Sequence, residues 1–468
     1  MVRQPVVIVG AGPAGLCAGY ELSKNGVQSL LFEKGAIVGG LARTETYRGF
    51  RFDVGGHRFY TKAPEVEQIW HEVRLSRIYY NGRFYNYPLH LPNTLKNLGL
   101  RESALILASY LKSQVQPHAP EETFEHWVTN RFGRRLYETF FKTYTEKVWG
   151  IPCSTIRADW AAQRIKGLSV RSAVTNALFR SNGVKSLIEE FLYPRQGPGM
   201  MWERMQQLLE ARQSHVALET AVVKVKRNGR TIESITVQQK DGQTQLIQTD
   251  HLISSMPLSQ LMLCMDPAPP PEILQAANSL NYRDFLIVVL LLDEAELFPD
   301  NWIYVHDPLV KVGRIQNFKN WSEEMVPDLG KTSLGMEYFC TVGDDIWSLS
   351  DEALIQLAAR ELEDLGLGQA RLVEDGIVIR QRKAYPVYDE TYIRHVQLIA
   401  DYLESFTNLQ TIGRNGMHRY NNQDHSMLTG LLAAQNILGK QHDLWQVNTE
   451  RSYYEIQTVA RNGRDPLP

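Results

Sequence analysis

Val6-Val7-Ile8-Val9-Gly10-Ala11-Gly12-Pro13-Ala14-Gly15 is the stretch on which the reading of this chain turns. Four apolar residues make a buried strand, three glycines at G-x-G-x-x-G spacing follow at once, and the residues through Leu22 continue as a helix. Gly10 permits the tight turn, Gly12 lets a pyrophosphate approach the backbone beside Ala14, and Gly15 lets helix and strand pack closely. The helix start offers free N–H groups and the positive end of its dipole to phosphates. A second apolar strand, Ser29-Leu30-Leu31-Phe32, ends in Glu33, 18 residues past Gly15, followed by Lys34. An acid at that distance is where a ribose hydroxyl needs an acceptor. A lone glycine pattern is weak evidence. Strand, glycines, helix, strand and terminal acid in order predict a dinucleotide-binding βαβ unit.

The next residues choose between dinucleotides. A nicotinamide-binding domain would continue into another βα unit. Here Gly39-Gly40-Leu41 follows with Arg43, a second glycine turn able to lay a planar cation against a pyrophosphate. Phe52-Asp53-Val54-Gly55-Gly56-His57 is a third close backbone approach, of the kind that sits beside a flavin ring. FAD is therefore the expected cofactor. Gly10, Gly12, Ala14, Gly15, Glu33, Lys34, Gly40, Leu41, Arg43, Gly56 and His57 are its expected contacts, with a packed core histidine as the alternative for His57.

The 468 residues exceed one ordinary core, so two domains are expected. A hydrophobic share of 43%, a charged share of 22% and a net charge of -2 are those of an ordinary globular protein and do not suggest a nucleic-acid or membrane-surface binder. The longest apolar run, Phe285 to Leu292, has eight residues, far short of the roughly 20 that span a bilayer, so no transmembrane segment is expected. Cys17, Cys153, Cys264 and Cys340 are scattered without C-x-x-C spacing. No metal site or disulfide framework is indicated, and a reducing, cytoplasmic setting is expected.

Helical periodicity marks residues 66–190, as in Leu136-Phe140-Phe141-Tyr144. Residues 216–255 read as short strands about the turn Asn228-Gly229, and residues 281–345 as alternating strands. Helices are expected at about 351–365, 391–405 and 427–438, with a last strand at Leu409–Ile412 before a glycine turn. The proline-rich stretch from Asp266 to Glu272 reads as a boundary loop. Two long segments thus interrupt pieces of nucleotide-fold character. The expected fold class is α/β, a glutathione-reductase-like FAD-binding domain with an inserted mixed α/β substrate domain. Residues 1–65, 195–270 and 405–445 are assigned to the first, 66–194 and 271–404 to the second, and 446–468 to a C-terminal tail.

Arg171, Arg314, Arg382 and Arg414 are candidate phosphate-facing cations, because a planar guanidinium suits bidentate phosphate contact. Arg414 stands out, lying in a glycine turn between strand and helix with Gly413 beside it. Tyr79, Tyr80, Tyr85, Tyr87, Trp149, Tyr193, Tyr385 and Tyr388 are aromatics able to line a pocket, with plain core as the alternative for each. Tyr385-Pro386-Val387-Tyr388 and Tyr193-Pro194-Arg195-Gln196-Gly197-Pro198-Gly199 are rigid turns. Arg131, Arg134, Arg135 and Lys142 read as a solvated helix face. No serine, histidine and acid form a nucleophile elbow, so a hydrolase is not indicated.

Several of these blocks resemble the FAD-dependent amine oxidase and protoporphyrinogen oxidase superfamily, and within it the UDP-galactopyranose mutase-like flavoproteins. Gly56-His57-Arg58-Phe59-Tyr60-Thr61 resembles the mutase turn whose histidine lies by the flavin. Arg83-Phe84-Tyr85-Asn86-Tyr87-Pro88 resembles its "G-K-F-x-x-Y-P" strand. Tyr144-Thr145-Glu146-Lys147-Val148-Trp149-Gly150 is similar to "Y-T-E-K-Q-W-G", the most specific match. Arg164–Arg171 resembles the stretch with a diphosphate-binding arginine, and Gly413-Arg414-Asn415-Gly416-Met417-His418-Arg419-Tyr420 the "G-R-L-G-T-Y-R-Y" turn. Asn422 stands where the mutase has an acid. Glu337-Tyr338-Phe339-Cys340 aligns with "E-Y-S-R", placing Cys340 where the mutase has an arginine at its flavin.

The resemblance implies catalytic roles for His57, Trp149, Arg171, Tyr385 and Arg414. It adds cofactor contacts at Val223, Gly413, Arg414 and Asn422, and substrate contacts at Tyr85, Tyr87, Trp149, Arg171, Tyr193, Arg314, Tyr385 and Tyr420. Its implied activity is that of an FAD-dependent oxidoreductase acting on a sugar nucleotide or similar phosphate-bearing small molecule, as a monomer or homodimer. A non-redox pyranose/furanose mutase is the second expectation, ranked lower by Cys340. An FAD-loaded scaffolding protein is the third.

Overall fold

The computed structural model describes residues 2–56, 72–73, 76–80, 83–86, 98–158, 190–191 and 193–448. The expected βαβ unit is present: strand Val2–Val9, helix Pro13–Lys24 and strand Ser29–Phe32. The two strands pair in parallel, and parallel neighbours extend the sheet on both sides. Strand His215–Ala217 lies beyond Ser29–Phe32, while Thr244–Ser254 and then Leu409–Thr411 lie beyond Val2–Val9. Strands Thr220–Asn228 and Thr231–Gln239 join Thr244–Ser254 as an antiparallel meander, and Met265–Asp266 pairs in parallel with Thr220–Asn228, giving eight strands from widely separated parts of the chain. The apolar residues Val6 to Val9 divide between the two faces. Val6 and Ile8 pack with helix Pro13–Lys24, Trp202 and helix Gln423–Ile437, while Val7 and Val9 pack with the meander and with Ile273, Ile399 and Leu403.

The second sheet has seven strands. Their order is Val373–Pro386, Tyr282–Leu292, Thr332–Cys340, Arg314–Asn317, Trp302–Val305, Ser76–Tyr80 and Arg83–Asn86. All neighbours are antiparallel except Trp302–Val305 with Ser76–Tyr80. Register decides what each face holds. Trp302 opposes Gln316, Tyr304 opposes Arg314, and Arg314 opposes Glu337, so these five side chains share one face. Leu286, Val288, Ile303, Ile315, Met336, Tyr338 and Cys340 pack on the other, under helix Asp351–Asp364.

Three expectations are corrected. Residues 281–345 do not alternate between core and solvent: Tyr282–Leu292 and Thr332–Cys340 are covered on both faces, so both faces select apolar residues. Helix Gly199–Glu210 follows the Tyr193–Gly199 turn where none was expected. It buries Trp202, whose indole N–H donates to Ala42 O at 3.1 Å. Helices Pro271–Ser279 and Tyr392–Glu404 share a core with the eight-stranded sheet, although 271–404 was assigned to the inserted domain.

Candidate functional site

The site lies between the sheets, and its nucleotide side is built of backbone. Helix Pro13–Lys24 starts at Gly12 with no side-chain cap, so its first N–H groups are free for a ligand. Gly10 has φ +94°, and a Cβ there would lie 2.2 Å from Ser255 Oγ. A Cβ on Gly40 would lie 3.2 Å from Gly12 Cα, and one on Gly413 would lie 3.1 Å from Ala14 Cβ. Three loops therefore meet here because they carry no bulk, leaving room for a thin polar chain such as a diphosphate. At the end of its strand, Glu33 accepts the Ala11 N–H at 2.9 Å and the Gly35 N–H at 2.8 Å. Each carboxylate oxygen keeps a lone pair for a further donor.

From this end a cavity of about 1010 Å³ runs to the seven-stranded sheet. Gly10, Gly12, Ala14, Glu33 and Lys34 line its first part, with Gly40, Leu41, Arg43 and Gly56 beyond them. Arg314, Tyr385, Gly413, Arg414, Tyr420 and Asn422 line it as well. The uncapped helix start, the glycine meeting point, the Glu33 carboxylate and the size of the cavity fit FAD.

The far wall is built of side chains. Arg314 Nη2 pairs with Glu337 Oε2 and donates to Tyr385 Oη at 2.8 Å, while Gln316 Nε2 donates to Glu337 Oε1 at 2.6 Å. The Arg314 guanidinium also lies over Phe339 at 4.7 Å and Trp302 at 5.2 Å. Burial raises the Glu337 carboxyl, and Arg314 and Gln316 pull it back down. Because Tyr385 Oη accepts from an arginine, its own proton remains available to donate. Burial also lifts Tyr385, with Arg314 opposing, which keeps it a neutral donor. The Tyr385 ring stacks on Tyr420 at 5.8 Å. Arg414 donates to Asn421 O at 2.9 Å and Ala384 O at 3.3 Å, and its guanidinium lies 4.5 Å over the Tyr420 ring. Tyr144 stacks on His306 at 4.8 Å, and burial pushes that imidazole down to about 3, leaving it neutral.

Arg43 joins the two sides. It pairs with Glu45 at 2.7 Å and donates to Gln381 Oε1 at 2.9 Å, on the other sheet. Ahead of the Gly55-Gly56 turn, Asp53 accepts from Tyr193 Oη at 2.6 Å and Thr44 Oγ1 at 2.8 Å. Burial raises Asp53 to about 7 against those two hydrogen bonds.

Gly15, Trp149, Tyr193 and Val223 fall elsewhere. Gly15 does not line the cavity. A Cβ there would lie 1.9 Å from Gly10 O, so Gly15 serves close helix–strand packing. Trp149 is buried one layer behind the wall, 6.3 Å from both Tyr385 and Tyr388. Tyr193 braces Asp53 and packs 4.9 Å from Trp321 rather than facing the cavity. Val223 turns its side chain to solvent at a strand irregularity, while Thr220, Ala221 and Val222 line the cavity. Asn422 is the N-cap of helix Gln423–Ile437, in a capping box with His425. Tyr79, Tyr80 and Tyr85 lie on the strands Ser76–Tyr80 and Arg83–Asn86. His57, Tyr87 and Arg171 lie outside the described residues.

Cys340 overturns the aligned expectation most directly. Its side chain lies in the core on the far face of the sheet, so it does not occupy a place at the cavity. Arg314, two strand positions from Gln316 on the facing side, supplies a cation there. Tyr144, Trp302, Tyr304, Gln381 and Lys383 also line the cavity without having been expected to. Parity with Arg314 along paired strands is the signal that marks Trp302 and Tyr304, and it is usable only once the pairing is known. Arg131, Arg134 and Arg135 pair with Glu121, Glu125, Glu138 and Glu102 on helix surfaces, consistent with a solvated face. Among the described residues no His, Cys, Asp and Glu cluster is arranged to hold a metal, and no helix is long and apolar enough to cross a membrane.

The flavin containing amine oxidoreductase family matches residues 13–438. A probable UDP-galactopyranose mutase from Klebsiella pneumoniae is 28% identical over 180 residues, 34% of this chain and 44% of the mutase. A 4,4'-diapophytoene desaturase from Methylomonas sp is 50% identical over 50 residues, 11% of this chain and 10% of the desaturase. The aligned stretches thus span less than half the length of these curated relatives. Among solved structures, a reduced UDP-galactopyranose mutase superposes with a TM-score of 0.83 at 21% identity, covering 97% of each chain. A putative protoporphyrinogen oxidase from Exiguobacterium sp. 255-15 gives 0.70 at 18% identity, covering 94% of this chain and all of that one. At these identities the superpositions establish the shared α/β fold.

Proposed function

The chain belongs to the flavin containing amine oxidoreductase family and is an FAD-dependent oxidoreductase, and from that premise we propose that its substrate is an anionic, phosphate-bearing small molecule of the sugar-nucleotide kind. The observation that carries this is the charge of the cavity. Lys34, Arg43, Arg314, Arg382, Lys383 and Arg414 line it, against only Glu33 and Glu45 among its acidic lining residues. Arg43 is matched by Glu45 and Arg314 by Glu337, while Arg414 has no carboxylate partner among the described residues. The two negative charges of the FAD diphosphate leave positive charge over. A protonated amine would meet repulsion there, and a substrate phosphate would be drawn in.

FAD supplies the electron-transfer chemistry when bound. The protein's part is to hold and orient. In this reading Arg414 and Arg314 take the phosphate oxygens, since their forks suit bidentate contact. Tyr420 and Tyr385 give the sugar a flat wall, and the Tyr385 hydroxyl, its oxygen occupied by Arg314, donates its proton to a substrate oxygen. Trp149 acts from behind by fixing the Tyr385 ring.

A second reading, a pyranose/furanose rearrangement without net redox change, is favoured by one observation. Cys340 points into the far core, and Arg314 stands on the cavity face, so the sequence feature that ranked this reading lower has no counterpart in the site. The test separates the two. Anaerobic oxidised protein is mixed with UDP-galactopyranose, UDP-galactofuranose and a panel of amines, and the flavin absorbance near 450 nm is followed. The same sugar nucleotides are then given to dithionite-reduced protein, and products are separated by chromatography. Bleaching by a sugar nucleotide supports oxidation, and interconversion only in reduced protein supports rearrangement. Bleaching by an amine alone overturns both.

A further inference from the structure

One part of the cavity wall enters that reading only as net charge, with no ligand group assigned to it. Along the pairing of Tyr282–Leu292 with Val373–Pro386, Arg283 opposes Tyr385 and Phe285 opposes Gln381. The single residue Asp284 thus faces three, Arg382, Lys383 and Ala384, which form a large bulge. Lys383 sits at φ +53°, a left-handed conformation that costs a lysine about 1 kcal/mol or more. Asp284 is buried at 5% exposure and holds the bulge. Its Oδ1 accepts the Lys383 N–H at 2.6 Å, and its Oδ2 accepts the Val342 N–H at 2.8 Å. On the other side, Lys383 O accepts from Asn415 Nδ2 at 2.8 Å and Ala384 O from Arg414 Nη1 at 3.3 Å. The bulge is therefore fixed from its own sheet and from the short helix Gly413–Gly416.

Its effect is to raise two cations where a regular strand would bury one and expose the other. Arg382 and Lys383 line the cavity together with Lys34, which comes from the opposite sheet directly after Glu33. Lys383 Nζ crosses to the nucleotide side, 3.3 Å from Ser259 Oγ on helix Leu258–Leu263 and 4.9 Å over the Tyr282 ring. Among the described residues, none of the three cations forms an ion pair. Burial lowers the Lys383 ammonium, and Arg382 and Lys34 lower it further, as expected of mutually repelling cations awaiting an anion.

We propose that the Arg382–Lys383 bulge, with Lys34, is an anion clasp for the diphosphate of FAD, adding charge to the backbone N–H groups of the glycine turns, and that Asp284 is the positioning residue that builds it. It rests on the cofactor and not on the substrate reading. The expense of a left-handed lysine and of three unpaired cations is offset when a dianion is bound. The FAD-loaded protein then depends on electrostatics that salt weakens.

The test reads cofactor affinity, not turnover. FAD-loaded protein is diluted at low and high salt, and released FAD is followed by its fluorescence for wild type, Arg382→Gln, Lys383→Gln and Asp284→Asn. Each glutamine variant is expected to weaken FAD binding about tenfold at low salt, the loss of one charge-assisted contact, and to reduce the salt sensitivity. Asp284→Asn keeps every cation, yet it places an amide donor against a backbone N–H, and the same weakening and flattened salt response are expected. If that variant does not fold, the two glutamine variants decide. FAD affinity within twofold of wild type in both, at both salt levels, overturns the proposal. So does unchanged FAD affinity combined with weaker binding of inorganic pyrophosphate to the FAD-loaded protein, which would assign the cations to a separate anion. A failure of sugar-nucleotide turnover would leave this readout untouched.

Discussion

On the side of the eight-stranded sheet the cavity wall is backbone: three glycine-bearing loops, an uncapped helix start and one strand-ending acid. On the side of the seven-stranded sheet it is side chain: an arginine–glutamate pair, a glutamine, and stacked tyrosines with Trp302. The first wall recognises what every dinucleotide has, so its chemistry is fixed by shape. The second recognises through charge and hydrogen-bond direction, so one substitution changes what it accepts. Each wall fails differently, and that difference can be measured.

The largest effect is expected on the side-chain wall. Arg314→Leu strands Glu337 in a site where neither partner is more than 9% exposed, and should destabilise the protein by about 3–5 kcal/mol in chemical denaturation. The double change Arg314→Leu with Glu337→Gln should recover much of that stability but not activity. If the double variant is as unstable as the single one, the pair is not the source of the loss. On the backbone wall, Gly15→Ala drives a Cβ into Gly10 O, and about 1–3 kcal/mol should be lost together with FAD retention, read from the 450 nm absorbance of purified protein.

Asp53, which supports the turn between the walls, should give a smaller effect that depends on pH. Its folded-state value is raised to about 7 by burial, above that of an exposed aspartate. Between about pH 4 and 7 the folded protein then holds a proton that the unfolded chain has released. The stabilisation from Asp53 is full below pH 4 and is lost as pH rises through 7, by up to about 1.4 kcal/mol per unit. Asp53→Asn should flatten the stability profile in that window and leave it unchanged above it, and an unaltered profile would place the titration elsewhere. The smallest effect belongs to Val223→Ala. Its side chain is 41% exposed, so stability should stay within about 0.5 kcal/mol of wild type, with FAD affinity unaffected.

The legible parts of this protein are those whose physics is local. Gly10 to Gly15 and Glu33 needed only spacing along the chain, and the Gly413-Arg414 turn needed only its flanking strand and helix. What the sequence hid depended on pairing between distant segments. Cys340 was placed at the flavin by its alignment, yet strand parity puts Glu337 and Phe339 towards the cavity and Tyr338 and Cys340 away from it. The parity becomes visible only when Thr332–Cys340 is registered against Arg314–Asn317. Tyr193 looked like a pocket residue because it stands in a rigid turn, but its hydroxyl is taken by Asp53, 140 positions earlier. Lys383 carried no signal, since its bulge is set by Asp284, 99 residues away.

By itself the sequence determined that a dinucleotide would be bound at the first glycine turn, because G-x-G-x-x-G between strand and helix leaves backbone N–H groups free whatever the remaining chain does. Only the tertiary structure decided which cations, aromatics and acids face that dinucleotide. Each such residue reaches the cavity through a strand register or a bulge, and both are fixed by partners far away in the chain.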